Sequence, residues 1–449
     1  MHPRLLKKQR VLVVGYGVTG ASVVRFLQRH AVHFELADEC TPDNAAERSA
    51  SLNCTVHSQF DTALFQQFDV LLLSPGIPRS HPAVVHALNK GVMVIGDIEL
   101  FAAVVEMPVI AVTGSNGKST VVSWIAHALQ SAGIKAVACG NIGQPALDSL
   151  LLKADVFVLE LSSYQLESTR SLQPLAATVL NVSDDHLDRY DDMEHYAATK
   201  RTVFDNAGLC VVNQDDPRTW PVGTEATASD CIERFTLSVG QDAASRWHPV
   251  LKEGELWLCD DQFALLAQSQ LAVPGEHNLA NALAVLALIE ALAIPFTALR
   301  KGLVSFTGLP HRTEFLGEQA GVRWYNDSKG TNVDACSKAV RAMPGPVLLI
   351  AGGIAKGADF SQLYSVVQQR VRLLVLIGRD RDQISEQLAG STYIVMAEDI
   401  NEAVQICRQE ACTGDVVLLS PACSSFDMFK NFEDRGEKFA AAVEEVLAA

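Results

Sequence analysis

The feature that most constrains the fold is an apolar run that becomes a short glycine-rich loop and then a helical pattern, Pro108 to Thr120. Val109 to Val112 predicts a buried parallel strand, and Ser119 to Ala132, followed by a glycine, predicts a helix with a glycine stop. Gly114 and Gly117 allow the backbone between them to turn its N–H groups toward an anion at the positive end of that helix. The stretch therefore predicts an α/β fold with a phosphate-binding loop.

The residues at the end of this loop are of the kind that hold nucleotide phosphates. Lys118 would lie against the outer phosphates, and the hydroxyl of Ser119 or Thr120 would bind Mg²⁺. The loop is shorter than the standard pattern G-x-x-x-x-G-K-[ST], because Val112 stands where that pattern has its first glycine. The alternative is an ordinary strand-turn-helix connection with a solvated lysine.

Length and charge limit the classes of protein that fit this chain. A length of 449 residues suggests two to four domains, and we expect three, at 1–96, 97–308 and 309–449. The formal net charge of −16 argues against nucleic acid or an anionic membrane as a partner. No signal-peptide pattern opens the chain, and no apolar run reaches the ~18 residues of a membrane span, so we expect a cytoplasmic protein without membrane insertion. Ten cysteines without a C-x-x-C pair indicate neither a zinc site nor a redox motif.

The first segment carries a glycine-rich turn of the dinucleotide-binding type. A strand, Arg10 to Val14, runs into Gly15-x-Gly17-x-x-Gly20, and a second strand ends at Asp38. Alone, this pattern predicts a nicotinamide-dependent oxidoreductase with Asp38 on a ribose. The same geometry serves any ligand with a pyrophosphate, including a nucleotide sugar, so the motif leaves both open.

Three polar positions of the second segment are candidates for chemistry. The apolar strand Asp155 to Glu160 ends in a carboxylate, as expected of a metal-directed acid beside a phosphate loop. A later strand runs into an acidic loop that contains His186, a reasonable metal or phosphate contact. By composition, Lys200, on the helical pattern from Met193 to Phe204, is a solvated surface lysine.

Two asparagines precede the apolar helix predicted for Ala282 to Ala293. Asn278 is either the N-cap of that helix or, with Asn281 three residues later, one of two amides that face a base or a phosphate. In the third segment, short apolar strands alternate with helical patterns, which predicts a mostly parallel sheet with crossover helices. These strands are Val347 to Ile350, Leu373 to Ile377, Tyr393 to Met396 and Val416 to Leu419.

Six strings spread over all three segments together resemble the Mur ligase family. They are Thr113 to Thr120, Glu160 to Leu166, His186 to Tyr190, His277-Asn278-x-x-Asn281, His311-Arg312 and Asn326 to Asn332. The family shares the shortened loop. Within it, Asp327-Ser328-Lys329 and the closing string Leu419 to Asp427 are similar to the D-glutamate-adding members. The resemblance implies three domains: a Rossmann-like N-terminal domain, a central P-loop-type ATPase domain with a mostly parallel sheet, and a C-terminal Rossmann-like α/β domain.

The resemblance also implies an activity, which is amide synthesis at the expense of ATP in cytoplasmic peptidoglycan precursor synthesis. The carboxylate of UDP-N-acetylmuramoyl-L-alanine attacks the γ-phosphate of ATP, and the amine of D-glutamate attacks the resulting acyl phosphate. Such in-line transfer depends on positioning and charge neutralisation. The implied partners are these small molecules, ATP and two Mg²⁺ ions, with the enzyme expected to act as a monomer.

Residue roles follow from the resemblance position by position. The implied catalytic residues are Lys118, His186 and Lys200. The implied ATP contacts are Gly114, Ser115, Asn116, Gly117, Lys118, Ser119, Thr120, Asn278, Asn281, Arg312 and Asp327. The implied metal ligands are Ser119, Glu160, His186 and Lys200, the lysine as a carbamate, which reverses its assignment by composition. The implied UDP-sugar contacts are Val18, Thr19, Asp38, Ser74, Gly76 and Asn141. The implied D-glutamate contacts are Lys329, Thr331, Lys356, Ser425 and Phe432.

The chain departs from the family in the turn after the second strand. Many relatives have Asp-Thr-Arg there, and this chain has Asp38-Glu39-Cys40, which replaces a hydroxyl and a cation by an anion and a thiol. The alternatives left open are the oxidoreductase, another Mur-type or folylpolyglutamate-type amide ligase, and a nucleotide-binding switch without enzymatic activity.

Overall fold

The computed structural model describes residues 2–184, 189–221, 231–239, 245–261, 263–273 and 275–448. The chain divides into two compact units, one of Met1–Gln270 with Ala280–Ser305 and one of Leu271–Leu279 with Phe306–Ala449. We call them the first and the second unit and describe each by itself. In the described parts of the chain, no helix is long and apolar enough to cross a membrane.

The first unit opens with a five-stranded parallel sheet in the order β3-β2-β1-β4-β5. Its strands are β1 (Val11–Val14), β2 (Glu35–Ala37), β3 (Val56–His57), β4 (Val70–Leu73) and β5 (Met93–Ile95). Its helices are α1 (Pro3–Leu6), α2 (Val18–Arg29), α3 (Pro42–Leu52), α4 (Thr62–Phe65), α5 (Pro82–Asn89) and α6 (Asp97–Ala102). The glycine-rich turn lies between β1 and α2, as the sequence predicts for a Rossmann-like sheet.

A second parallel sheet of six strands follows, in the order β11-β10-β9-β6-β8-β7. Its strands are β6 (Val109–Thr113), β7 (Ala136–Gly140), β8 (Val156–Glu160), β9 (Ala176–Val179), β10 (Leu209–Asn213) and β11 (Ile232–Phe235). Its helices are α7 (Lys118–Ser131), α8 (Ala146–Ser149), α9 (Ser163–Leu166) and α10 (Met193–Arg201). Buried residues of both sheets form one continuous apolar cluster, in which the rings of Phe101 and Phe157 lie 5.5 Å apart.

Residues 248–267 form a small antiparallel sheet. Its strands are β12 (His248–Lys252), β13 (Glu255–Cys259) and β14 (Ala264–Ala267). The next two helices are α11 (Glu276–Glu290) and α12 (Phe296–Ser305). Since α11 already begins at Glu276, Asn278 lies in its first turn, and the N-cap alternative for this residue is wrong. Trp124 of α7 donates to the Leu303 carbonyl of α12 at 2.9 Å, which fixes α12 on the loop helix.

The second unit is built on a six-stranded sheet in the order β15-β16-β20-β17-β18-β19, parallel except for the antiparallel edge strand β15. Its strands are β15 (Glu314–Gln319), β16 (Val322–Asn326), β17 (Val347–Gly352), β18 (Val371–Ile377), β19 (Tyr393–Met396) and β20 (Val416–Leu419). Its helices are α13 (Val333–Ala342), α14 (Tyr364–Arg370), α15 (Arg381–Gln387), α16 (Ile400–Glu410) and α17 (Phe432–Ala448). The predicted α/β class with mostly parallel sheets is confirmed.

Candidate active site

The glycine-rich loop joins the end of β6 to the start of α7 and needs both of its glycines. Gly114 has φ +148° and Gly117 has φ +87°, which are backbone conformations that residues other than glycine rarely adopt. A Cβ added at Gly117 would lie 2.6 Å from Oδ1 of Asn281, so this amide packs directly on the loop. Two of the predicted ATP contacts are therefore adjacent in the first unit.

The loop is held from outside by the segment that follows β9. Ser115 N donates to the Asn181 carbonyl and Asn116 N to the Asn181 side-chain oxygen, both at 2.9 Å. The Asn181 amide donates in return to the Asn116 carbonyl at 3.0 Å. These two loop N–H groups therefore fix the loop instead of pointing at a ligand. The sequence analysis missed Asn181, although its place just beyond a strand end was a usable signal.

Two lysine ammonium groups meet on one loop carbonyl. Lys118 Nζ donates to the carbonyls of Gly114 at 2.7 Å and Ser115 at 2.9 Å, and Lys200 Nζ donates to Gly114 O at 3.0 Å. Lys200 is only 1% exposed, so the assignment from composition, a solvated surface lysine, is wrong. Part of the cause is non-local, because the partner Gly114 is 86 residues away. The buried ring of Tyr196, one helical turn earlier on α10, also lies 4.4 Å from Nζ.

The carboxylate at the end of β8 meets the hydroxyl that follows the loop lysine. Glu160 is 3% exposed, and its Oε2 accepts from Ser119 Oγ at 2.5 Å. Its Oε1 accepts from the Asn141 amide at 2.8 Å. A buried carboxylate and a hydroxyl aimed at one point are the hard oxygen donors that Mg²⁺ prefers, so these residues fit the predicted metal. In the described part of the chain, no group of three or more His, Cys, Asp or Glu forms a metal cluster. The predicted ligand His186 lies outside the described residues.

A cavity of about 440 Å³ opens beside this carboxylate in the first unit. Its volume is in the range of small-molecule sites. All six residues predicted to contact a UDP-sugar line it, namely Val18, Thr19, Asp38, Ser74, Gly76 and Asn141. The glycine-rich turn is closed against the cavity wall by Ser74, whose hydroxyl donates to Gly15 O at 2.8 Å. The structure thus brings together residues that are far apart in the sequence, and their ligand stays a prediction.

The unusual turn after β2 is paired with a cation from the helix that follows it. Asp38 accepts from Tyr16 N at 2.9 Å and forms an ion pair with Arg48 of α3. The Arg48 guanidinium lies 5.2 Å from the centre of the Tyr16 ring. A positive charge absent from the turn itself is therefore supplied from the next helix, which the sequence analysis missed.

In the second unit, Asp327 follows β16 and is buried. It accepts from Thr313 N at 3.0 Å and from Ser420 Oγ at 2.7 Å. Burial raises its pKa to about 6, against the effects of these hydrogen bonds and of the nearby Arg312. Asn278, also in this unit, is buried. The predicted ATP contacts Arg312 and Asp327 are thus electrostatic neighbours.

The residues predicted to bind D-glutamate lie on loops of the second unit and, for Phe432, at the start of α17. Lys329 Nζ is 4.0 Å from the centre of the Phe432 ring. Backbone hydrogen bonds of 2.9 and 3.1 Å join Ile354 to Ser424, which brings the segments that carry Lys356 and Ser425 side by side. Thr331 N donates to the Lys329 carbonyl at 2.7 Å.

Arg435, which the sequence analysis did not single out, fastens two of these loops. It is 1% exposed at the start of α17 and donates to Ser328 Oγ at 3.0 Å, Ser328 O at 2.8 Å and Cys423 O at 3.2 Å. Burial lowers the pKa of this guanidinium to about 10, so it remains charged at neutral pH. Nothing in the sequence around Arg435 marked its role, because its partners Ser328 and Cys423 lie 107 and 12 residues away in the chain.

Comparison with known proteins agrees with this architecture. Three family models match the chain: "Mur ligase MurD-like, N-terminal domain" over residues 9–96, "Mur ligase middle domain" over 112–289 and "Mur ligase, glutamate ligase domain" over 311–423. Among solved structures, a pseudomurein peptide ligase type C from Methanothermus fervidus is 16% identical with a TM-score of 0.62, and covers 98% of this chain and 100% of its own. The UDP-N-acetylmuramate-alanine ligase of Thermotoga maritima is 17% identical with a TM-score of 0.60 and the same coverage. These two establish similarity of fold.

Curated relatives are much more similar in sequence. A UDP-N-acetylmuramoylalanine--D-glutamate ligase of Nitrosococcus oceani is 43% identical over 97% of both chains. The protein of the same name in Pseudomonas aeruginosa is 40% identical over 97% of this chain and 98% of its own. With the three family models and the loop, carboxylate and lysines described above, these similarities lead to one conclusion: the chain belongs to the Mur ligase family.

Proposed function

We propose that the protein is an ATP-dependent, ADP-forming ligase that joins D-glutamate to UDP-N-acetylmuramoyl-L-alanine. The observation that carries the proposal is the position of Asn141. This residue lines the 440 Å³ cavity and also donates to Glu160, which accepts from Ser119 next to the loop lysine. A UDP-sugar bound in the cavity would therefore present its far end, the alanyl carboxylate, at the phosphate loop.

The chain's own residues account for the positioning that acyl-phosphate formation requires. Lys118 lies against the loop carbonyls and would neutralise charge on the transferring phosphoryl group. The loop is preorganised by Asn181, so little rearrangement is needed when ATP binds. Ser119 and Glu160 would hold Mg²⁺, which neutralises charge on the phosphate oxygens.

Further parts of the proposal concern the acceptor and the second metal. Lys329, Thr331, Lys356, Ser425 and Phe432 would hold D-glutamate, since lysines and hydroxyls suit a dicarboxylate. Asn278, Asn281, Arg312 and Asp327 would contact ATP. We further propose that Lys200 is carbamylated and holds a second Mg²⁺ with His186, that the domains are 1–96, 97–308 and 309–449, and that the enzyme works as a cytoplasmic monomer.

Product mass tests the proposal directly. Purified protein is incubated with UDP-N-acetylmuramoyl-L-alanine, D-glutamate and Mg-ATP, and we expect one new amide, one ADP and one phosphate per turnover. A preference for L-amino acids or diaminopimelate in the same assay would favour another Mur-type ligase, and a folate substrate would favour a folylpolyglutamate-type ligase. Hydrolysis of ATP without any amide would leave only a nucleotide switch, and release of bound NAD(P) from a protein without ligase activity would favour the oxidoreductase.

A further inference from the structure

The first unit contains a second cavity, of about 250 Å³, and none of its described lining residues has a role assigned above. It lies between the loop after β4 and the helix α10. Its lining residues include Arg79 and Ser80 from that loop, Glu167 and Arg170 from the segment after α9, Arg189 from the segment before α10, and Thr199 from α10 itself. It shares no lining residue with the 440 Å³ cavity.

Among the described residues that line this cavity, the one carboxylate is Glu167, and it is already paired. Arg189 donates to Glu167 through Nε at 2.9 Å and through Nη2 at 2.7 Å, and the Tyr190 hydroxyl donates to the same carboxylate at 2.8 Å. This bidentate ion pair is strong, and both carboxylate oxygens of Glu167 accept hydrogen bonds. Arg189 is therefore the ion-pair partner of Glu167, and the charge of Glu167 also acts on Arg79, whose pKa it raises in part.

The other two arginines of the cavity have only backbone partners in the described part of the chain. Arg79 donates to the Val94 carbonyl at 3.1 Å, and Arg170 donates to the Thr169 carbonyl at 2.8 Å. The charge of Arg170 acts to lower the pKa of Asp205, against burial, but the two side chains form no ion pair. Two guanidinium groups thus border one small space with no carboxylate paired to either.

The two arginines also affect each other. Arg79 is half-buried, and burial together with the positive charge of Arg170 lowers its pKa. Although the chain as a whole has a net charge of −16, this cavity keeps two positive charges close together. An anion between them would stabilise both.

We propose that this cavity binds a small phosphate-class anion, inorganic phosphate or diphosphate, between Arg79 and Arg170. Planar guanidinium groups match phosphate oxygens with two parallel hydrogen bonds, and the hydroxyl of Ser80 adds a donor nearby. The volume lies below the usual range of ~300–1,000 Å³ for larger organic ligands, so a small anion fits best. This proposal is independent of the ligase activity.

Isothermal titration with inorganic phosphate and with diphosphate tests it, using acetate as a monovalent carboxylate for comparison. All proteins carry Lys118→Ala, which removes the loop cation and so separates this cavity from the phosphate loop. We expect Arg79→Met and Arg170→Ala each to weaken phosphate or diphosphate binding tenfold or more. The control Arg408→Ala removes the same charge from an exposed position on α16 and should leave binding unchanged.

Undiminished binding in both arginine variants, or absence of phosphate and diphosphate binding before they are introduced, would overturn the proposal. An equal loss in Arg408→Ala would also overturn it, because the effect would then come from net charge. Thermal unfolding curves check that each variant folds. If Arg79→Met fails this check because it loses the Val94 contact, Arg170→Ala decides, since the Arg170 side chain is exposed.

Discussion

A buried carboxylate between the first two sheets offers a quantitative test of the structure. Asp97, the first residue of α6, is 3% exposed, and its Oδ2 accepts from the Gln165 amide at 3.1 Å. Its Oδ1 has no hydrogen-bond partner among the described residues. Burial raises its pKa from 3.8 to about 6. Since Gln165 lines the 440 Å³ cavity, this carboxylate also helps to position the cavity wall.

The raised pKa means that ionised Asp97 destabilises the folded protein. Well below pH 3.8, Asp97 is protonated in both the folded and the unfolded protein, so its burial carries no charge penalty. As the pH rises from 3.8 through 6, the unfolded state releases the proton first, and the folded protein loses stability. A shift of about two units corresponds to a penalty of about 3 kcal/mol at pH 7.5 and about 1 kcal/mol at pH 4.5. The substitution Asp97→Asn keeps the acceptor for Gln165 and removes the charge. Its new N–H group costs about 1 kcal/mol if unpaired, but equally at both pH values.

Urea unfolding followed by circular dichroism measures the difference. At each pH we subtract the free energy of unfolding of wild type from that of Asp97→Asn. We expect this difference to be about 2 kcal/mol larger at pH 7.5 than at pH 4.5. Asp382→Asn, on the exposed side of α15, makes the same change in charge and serves as the control. If the effect of Asp97→Asn is the same at both pH values, burial of an ionised carboxylate at this position is refuted.

Three further substitutions test the candidate site. Lys118→Ala should reduce kcat for amide formation at least 100-fold, by analogy with lost transition-state donors worth about 3 kcal/mol, and near-normal phosphate release would contradict its role. Lys200→Ala should be inactive and partly rescued by a short carboxylic acid that replaces the carbamate; wild-type rates without rescue would show that no carbamate is needed. Arg435→Met should lower the free energy of unfolding by about 1–3 kcal/mol and raise the KM for D-glutamate, because it leaves buried acceptors of Ser328 and Cys423 without a donor and frees their loops. An unchanged urea midpoint and KM would contradict that.

The sequence predicted the parts of the fold that depend on local pattern. The loop strand was expected at Val109 to Val112 and runs to Thr113, and the loop helix was expected from Ser119 and begins at Lys118. Apolar runs bounded by glycines fix such elements, because the strand and the turn are determined by neighbouring residues. The same holds for Glu160, which ends its strand as predicted.

Residues whose state depends on distant partners could not be predicted in this way. Lys200 looks solvated in its helix, but it contacts the carbonyl of Gly114, 86 residues away, and the ring of Tyr196, and it is buried. Arg48 compensates an unusual turn from the following helix. Composition and periodicity describe each residue's own element, whereas these contacts are set by the packing of one element on another.

The shared carbonyl of Gly114 connects the shortened loop to the proposed carbamate. Because the N–H groups of Ser115 and Asn116 are committed to Asn181, the positive charge for a bound phosphate must come largely from side chains and the helix N-terminus. Lys118 and Lys200 both reach Gly114 O, and two positive charges on one carbonyl repel each other. A carbamate on Lys200 would retain an N–H for that carbonyl, remove the repulsion and place an anion where a second metal ion can bind. The proposed carbamate would thus give the two lysines opposite charges, one for the phosphate and one for the metal.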